Sequence, residues 1–132
     1  MDTNIMWKDL NIIGELPNLE VLKLIFYVCK GYVWSPTAEG FTRLKLLLID
    51  VSDLKYWKAT NDNFPVLERL VIRVCFNLEE IPIDFADINS LGLIELKSCT
   101  PEVEASPARI QQEQEDIGNK PVVVRFASRS GS

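Results

Sequence analysis

Residues 64–82, FPVLERLVIRVCFNLEEIP, place apolar side chains at positions 64, 67, 70, 72, 75, 78 and 81. Spacings of three suit a helix, whereas the step from Leu70 to Ile72 suits a strand, whose alternate residues share a face. The residues around that step include valine, isoleucine and cysteine, which are poor helix formers. One regular element cannot bury both periods, so the segment predicts a short strand followed by a corner and a looser return.

The same pattern occurs four times in register. Its copies start at residues 16, 41, 64 and 88, at intervals of 25, 23 and 24 residues. A period of this length with an L-x-x-L-x-L centre is typical of leucine-rich repeats. The sequence therefore predicts an α/β repeat fold, a leucine-rich-repeat solenoid with short parallel strands on its concave face and irregular or helical returns. Its inward pairs would be Leu22/Leu24, Leu47/Ile49, Leu70/Ile72 and Ile94/Leu96.

Strand alternation also predicts which side chains face outward on the concave side. Residues between and just after each inward pair form two columns, with apolar residues at the centre of the first and charges at its edges, as in many protein interfaces. The alternative is an ordinary solvated sheet face. The second column would permit an ion pair between Asp50 and Arg73 on adjacent strands. The predicted partner-binding residues are Lys23, Ile25, Leu48, Asp50, Val71, Arg73, Glu95 and Lys97.

Two cysteines occupy the predicted corner after the strand. Cys75 and Cys99 each lie three residues beyond the last inward position and are 24 residues apart, so stacked repeats would align them. The pattern favours the small-residue corner of a leucine-rich repeat, which bonds inward to the backbone, and Ser52 is its equivalent one repeat earlier. A redox pair or a metal site is the alternative. In the first repeat the corner departs from the pattern, with Tyr27 there and Cys29 two residues later.

The period stops after Cys99, and residues 101–126 predict a cap for the end of the solenoid. Ser106 would cap a short amphipathic helix that begins at Pro107 and ends at Gly118. Ile110 and Ile117 would lie on the same face of this helix. Residues 121–126 predict an edge strand and residues 127–132 a disordered tail. Residues 1–15 predict a partial N-terminal coil without a comparable cap. We therefore expect self-association through that end, or further repeats upstream in the natural protein.

The composition limits the chemistry available to the chain. It has no histidine, no C-x-x-C pair and no glycine-rich phosphate motif, so we expect a non-enzyme with no cofactor or metal. A net charge of −5 argues against a nucleic-acid partner. Without a signal peptide or a membrane-spanning apolar run, three cysteines fit a cytoplasmic location, with peripheral membrane association left open. The aromatic side chains on the returns either pack under the loops or form an exposed patch: Trp34, Tyr56 and Trp57.

Three segments resemble plant intracellular immune receptors of the nucleotide-binding leucine-rich-repeat class. They are LERLVIRVCFNLEEIP at 67–82, INSLGLIELKSC at 88–99, and SPARIQQEQEDIGN at 106–119 leading into PVVVRF at 121–126. The last is similar to the terminal helix and strand of coiled-coil-type, late-blight-resistance-type receptors of the nightshade family. The resemblance covers about residues 16–126 and only the final repeats of such a receptor. The nucleotide-binding core is missing, so ATP or ADP binding does not transfer to any residue here.

The resemblance implies a role in pathogen sensing. In that family the repeat region recognises a pathogen effector or a guarded host protein and restrains the nucleotide-binding switch, so the receptor's own nucleotide-binding domain is a further expected partner. The alternative is a stand-alone intracellular leucine-rich-repeat adaptor. The initial methionine and the short length favour the adaptor, whereas the uncapped N-terminal end favours a receptor fragment.

Overall fold

The structure is a computed structural model that describes residues 5–6, 18–25, 29–30, 32–36 and 40–126. Its elements in chain order are β1 (Ile5–Met6), β2 (Val21–Ile25), β3 (Cys29–Lys30), β4 (Val33–Trp34), β5 (Leu46–Ser52), β6 (Tyr56–Trp57), β7 (Arg69–Cys75), a 3₁₀ helix (Ile83–Asp87), β8 (Leu93–Cys99), α1 (Pro101–Asp116) and β9 (Val123–Phe126). The predicted tail, the Tyr27 corner and most of the predicted partial coil lie outside the described residues.

An open, parallel sheet of five strands in the order β2-β5-β7-β8-β9 dominates the described part of the chain. Two further pairs of short strands, β1 with β3 and β4 with β6, are also parallel. Neighbouring parallel strands require a crossover connection. From β2 to β8, register partners on adjacent strands are 23 to 25 residues apart in sequence. In the residues that the structure describes, the architecture is thus an α/β arrangement of a mainly parallel sheet with one α-helix and one 3₁₀ helix.

The strand register agrees with the alignment of the four sequence copies. Leu22, Leu47, Leu70 and Ile94 are successive partners across β2, β5, β7 and β8. The second inward row, Leu24–Ile49–Ile72–Leu96, pairs in the same way. All eight side chains are buried except that of Leu22, which lies on the edge strand and is partly buried. One face of the sheet therefore packs into the core, as the alternation predicts.

A left-handed backbone residue reverses the alternation at the end of two strands. Val74 and Ser98 have φ values of 52° and 54°, and both lie one residue before a cysteine. The φ value of Val74 is a strained conformation for a β-branched residue. The irregularity turns Cys75 inward, and the pairing resumes as Cys75 with Cys99. The predicted alignment of the two cysteines is confirmed.

An aromatic cluster fills the space between the sheet and the returns. Trp34 and Trp57, brought together by β4 and β6, stack with ring centroids 5.5 Å apart and planes 3° apart. Phe64 contacts both tryptophans as well as Phe41 and Phe85. Both tryptophans are buried, as the packing interpretation of the returns predicts, whereas Tyr56 remains 40% exposed.

The predicted start of the C-terminal helix is wrong. Helix α1 begins at Pro101, after Thr100, whose Oγ1 accepts a hydrogen bond from the Val103 amide at 3.1 Å. Ser106 is a buried residue inside the helix: its hydroxyl accepts a bond from the Ile81 amide at 3.0 Å and donates to the carbonyl of Glu102. Thr100-Pro101 and Ser106-Pro107 carry the same cap-and-proline signal, and the first one directly follows the end of β8.

The buried face of α1 also differs from the expected one. Ile110 is buried, but Ile117 lies just beyond the last helical residue and is 46% exposed. Gln114 takes the next position on the inward face and is buried. Gly118, with a φ of 83°, ends the helix as predicted.

Two glutamines of α1 hold the segment that enters β9. The Val122 amide donates to Oε1 of Gln114 at 2.8 Å, and Nε2 of Gln111 donates to the Val122 carbonyl at 2.9 Å. The next amide, that of Val123, bonds to the Gly92 carbonyl at 3.0 Å. The helix side chains thus satisfy the backbone where the strand joins the sheet, and the edge strand predicted for residues 121–126 forms as β9.

We expect Gln114→Ala to loosen β9. The substitution leaves the buried Val122 amide without its acceptor, which should lower the free energy of unfolding by about 1–3 kcal/mol. Hydrogen exchange should speed up at the amides of β9 before it changes in β5 and β7. Gln112→Ala is the matched control, because the Gln112 side chain bonds to exposed Asp116 and its loss should change stability by no more than about 0.5 kcal/mol. Equal exchange rates in β9 of both variants would contradict the role of Gln114.

Candidate protein-binding face

The face of the sheet opposite the core presents three rows of side chains. Each row runs across the strands from β2 toward β9, because partners in a parallel register lie side by side. The rows are Val21–Leu46–Arg69–Leu93–Val123, Lys23–Leu48–Val71–Glu95–Arg125 and Ile25–Asp50–Arg73–Lys97. We call these fourteen residues the open face.

All eight residues predicted as partner-binding lie on the open face. Four of them belong to the middle row, on strands β2, β5, β7 and β8, and the other four make up the whole third row. The structure therefore brings together residues that are as far apart in sequence as Lys23 and Lys97. Whether a partner contacts them stays a prediction.

Sequence reasoning missed the first row and the two contributions of β9. The alternation that identified Lys23 as outward also makes Val21, two residues earlier, outward, and the same step finds Leu46, Arg69 and Leu93. Val123 and Arg125 could not be found in this way, because β9 lies outside the four repeats and its register depends on the contacts with α1.

Apolar side chains form a strip along the open face, and Arg69 lies between two of them, Leu46 and Leu93. Leu46, Leu48, Val71 and Leu93 lie on its central strands and are partly to almost fully buried by their neighbours. At the two edges, Val21 is 49% and Val123 is 57% exposed. The apolar strip is therefore accessible but recessed between charged residues, as the core and rim of a protein interface are.

Glu95 links three strands of the open face. Its two carboxylate oxygens lie 3.6 Å from Nη2 of Arg73 on β7 and 3.8 Å from Nη1 of Arg125 on β9. The Glu95 side chain is only 17% exposed, so both ion pairs are partly shielded from solvent. The ion pair expected between Asp50 and Arg73 is absent among the described residues, because the Arg73 guanidinium reaches diagonally to Glu95 instead.

The corner cysteines have the backbone bonds expected of a structural corner. Sγ of Cys75 lies 3.5 Å from the Arg73 carbonyl, and Sγ of Cys99 lies 3.5 Å from the carbonyls of Ile72 and Lys97. Burial raises the pKa of the Cys99 thiol, which disfavours the thiolate needed for redox or metal chemistry. No disulfide joins the two, and no three metal-binding side chains cluster within the described ranges. The side chains of Ser52 and Cys29 lie outside the described residues.

A cavity lies beside the C-terminal ends of β7 and β8 rather than on the open face. Its volume is about 390 Å³, and its lining includes Phe76, Glu79, Glu80 and Glu102. It is open to solvent, and its acidic residues are exposed.

In the part of the chain that the structure describes, no helix is long and apolar enough to cross a membrane.

Comparison with known proteins identifies relatives of this chain in the nightshade Solanum demissum. One late blight resistance protein homolog of that species is 44% identical over 108 residues, or 80% of this chain, and a second is 42% identical over 107 residues. This chain is homologous to nightshade late-blight-resistance-type proteins. The resemblance inferred from the sequence is thereby confirmed. No protein-family model matches the chain.

The chain corresponds to a small part of each late-blight-resistance-type relative. It spans 9% of the length of the first homolog and 8% of that of the second. A third late blight resistance protein homolog of the same species is 40% identical over 101 residues, and the match spans 13% of its length. The relatives therefore contain large regions that have no counterpart in these 132 residues.

Proposed function

We propose that this chain is a leucine-rich-repeat region of a plant disease-resistance protein and that its open face binds a protein partner. The open face carries the proposal, because it combines a recessed apolar strip with a charged rim on the side of a parallel sheet that faces away from the core. Resistance protein is the name given to the relatives, and a regular register at 23 to 25 residues supports the repeat assignment.

The proposed mechanism is recognition rather than catalysis. A rigid sheet with its register fixed by buried leucines presents the open-face side chains at constant spacing, so a partner surface meets a preorganised site. The partner would be a pathogen effector, a guarded host protein or the nucleotide-binding domain of the same receptor. In the last case binding would hold the nucleotide-binding switch in its resting state, and displacement by the pathogen would release it.

We expect Val71→Glu to abolish most partner binding without unfolding the chain. Val71 lies at the centre of the middle row and is partly exposed, so a carboxylate there can reach solvent but interrupts the apolar strip. The loss of affinity should be at least about tenfold, equivalent to about 1.4 kcal/mol. Proximity labelling in nightshade leaves, with and without the late blight pathogen, should recover proteins with the wild-type chain that the variant fails to recover.

The matched control for Val71→Glu is Lys58→Glu, which introduces a carboxylate at an exposed position outside the open face. It should recover the same proteins as the wild type. Equal labelling by all three chains would exclude the open face as the binding site. An immunoblot of source tissue with an antibody against residues 102–120 separates the two forms of the proposal: a band well above 15.0 kDa indicates a receptor segment, and a band near that mass a stand-alone adaptor.

A further inference from the structure

The charge of the open face is opposite to the charge of the chain. The chain as a whole has 14 basic and 19 acidic residues, which gives a net charge of −5. Among the fourteen residues of the open face, only Asp50 and Glu95 are acidic. Five are basic and lie on four of the five strands: Lys23, Arg69, Arg73, Lys97 and Arg125.

The two acidic residues offset only part of the basic charge of the open face, which keeps a formal charge of +3 from five basic and two acidic residues. Glu95 is mostly buried between Arg73 and Arg125, so its charge is neutralised by these two guanidinium groups. Lys23, Arg69 and Lys97 are in no ion pair of the described residues, and the first two are exposed. The open face therefore carries a net positive formal charge on a chain whose net charge is negative.

The basic side chains surround the apolar strip rather than forming a separate patch. Arg69 lies in register between Leu46 and Leu93, and Lys23 is the register partner of Leu48. A nucleic acid would use the cations but leave the leucines against a charged backbone, whereas a protein segment can satisfy both. The basic residues call for an anionic partner, and the apolar strip between them favours a protein segment over a nucleic acid.

We propose that the open face binds an acidic protein segment, one in which aspartate or glutamate side chains flank apolar residues. The apolar side chains of the segment would pack on the strip formed by Leu46, Leu48, Val71 and Leu93, and its carboxylates would reach Arg69 and Lys97. This inference rests on the proposed function and adds the chemical class of the partner. It also assigns a role to Arg69, which the two predicted outward columns leave out.

A random peptide display library selected on the wild-type chain tests the charge of the partner. We expect the enriched peptides to be acidic and to contain apolar residues. Their affinity should fall markedly between about 0.1 M and about 1 M salt, where the Debye length shrinks from about 10 Å to about 3 Å. The double variant Arg69→Glu/Lys97→Glu should bind them about tenfold more weakly.

The control is the double variant Lys58→Glu/Lys120→Glu, which changes the net charge equally at exposed positions outside the open face. It should bind the acidic peptides as the wild type does, and an equal loss would overturn the proposal by showing that only overall charge matters. Enriched peptides that are neutral or basic would also overturn it. If neutral or basic peptides are enriched but bind Val71→Glu more weakly than the wild type, the open face still binds protein and the proposed function survives. If Val71→Glu binds these peptides as the wild type does, both the acidic-segment proposal and the proposed function are wrong.

A third arm distinguishes a protein partner from a nucleic acid. Single-stranded oligothymidylate should compete poorly with the acidic peptides, because it cannot fill the apolar strip. If it binds more tightly than they do and loses affinity in Arg69→Glu/Lys97→Glu, the open face is a nucleic-acid site and the acidic-protein proposal is wrong.

Discussion

Leu70→Asp should destabilise the fold by several kcal/mol, enough to unfold much or all of the chain. Leu70 is fully buried in the inner row of the sheet, where its register partners are Leu47 and Ile94. An unpaired carboxylate at this position costs several kcal/mol, whether it stays ionised or is forced to bind a proton. A domain of this size has a total stability of roughly 5–15 kcal/mol, so the loss consumes much of it. Circular dichroism should show no cooperative thermal transition, or one at a much lower temperature.

Val71→Asp is the control for that substitution, because residue 71 is adjacent in sequence but faces the opposite side of the sheet. It introduces the same group into the same strand and should change the stability by no more than about 1 kcal/mol. A large difference between the two variants confirms that residue 70 faces the core and residue 71 the open face. Similar melting temperatures for Leu70→Asp and the wild type would mean that the register of β7 is wrong.

The register of the sheet could be predicted because each strand carries redundant information. A slip of one residue would move Leu70 and Ile72 to solvent and bring Val71 and Arg73 into the core, so the burial of apolar residues selects one alignment. The same alternation determines the opposite face. This is why eight residues spread over 75 positions could be assigned to one surface without knowledge of the fold.

The C-terminal segment could be predicted only in outline, since its details depend on contacts between distant residues. Two threonine- or serine-proline pairs offer equivalent helix starts, and the choice depends on where β8 ends. Ser106 is then available to bond with Ile81, 25 residues away. The burial of Gln114 is also decided by a tertiary contact, because its amide group replaces a strand partner for Val122. No local pattern indicates either bond.

The ion pairs of the open face could also be predicted only in part from the sequence. Sequence alternation places Arg73, Asp50 and Glu95 on one surface, but it does not determine which carboxylate the guanidinium reaches. The direct neighbour in register is Asp50, yet the ion pair forms with Glu95, which a second arginine also contacts from β9. Since β9 is positioned by α1, the cap of the sheet also shapes the face that we propose as the binding site.

Phe64→Ala should strongly destabilise the chain. The Phe64 ring is fully buried and contacts four other aromatic rings, with centroid distances from 5.3 to 6.1 Å. Truncating a buried phenylalanine to alanine costs about 3–5 kcal/mol through lost burial and the cavity left behind. Because Trp34 and Trp57 both border that cavity, their fluorescence should change in the folded variant as well as on unfolding.

Phe76→Ala separates this effect from the loss of an aromatic residue in general. Phe76 is 61% exposed, so the same substitution removes little buried surface and should change the free energy of unfolding by no more than about 0.5 kcal/mol. Urea unfolding followed by tryptophan fluorescence gives both values in one experiment. If Phe64→Ala were as mild as Phe76→Ala, the aromatic cluster would not connect the sheet to its returns. The open face would then have to be held in register by the leucine rows alone.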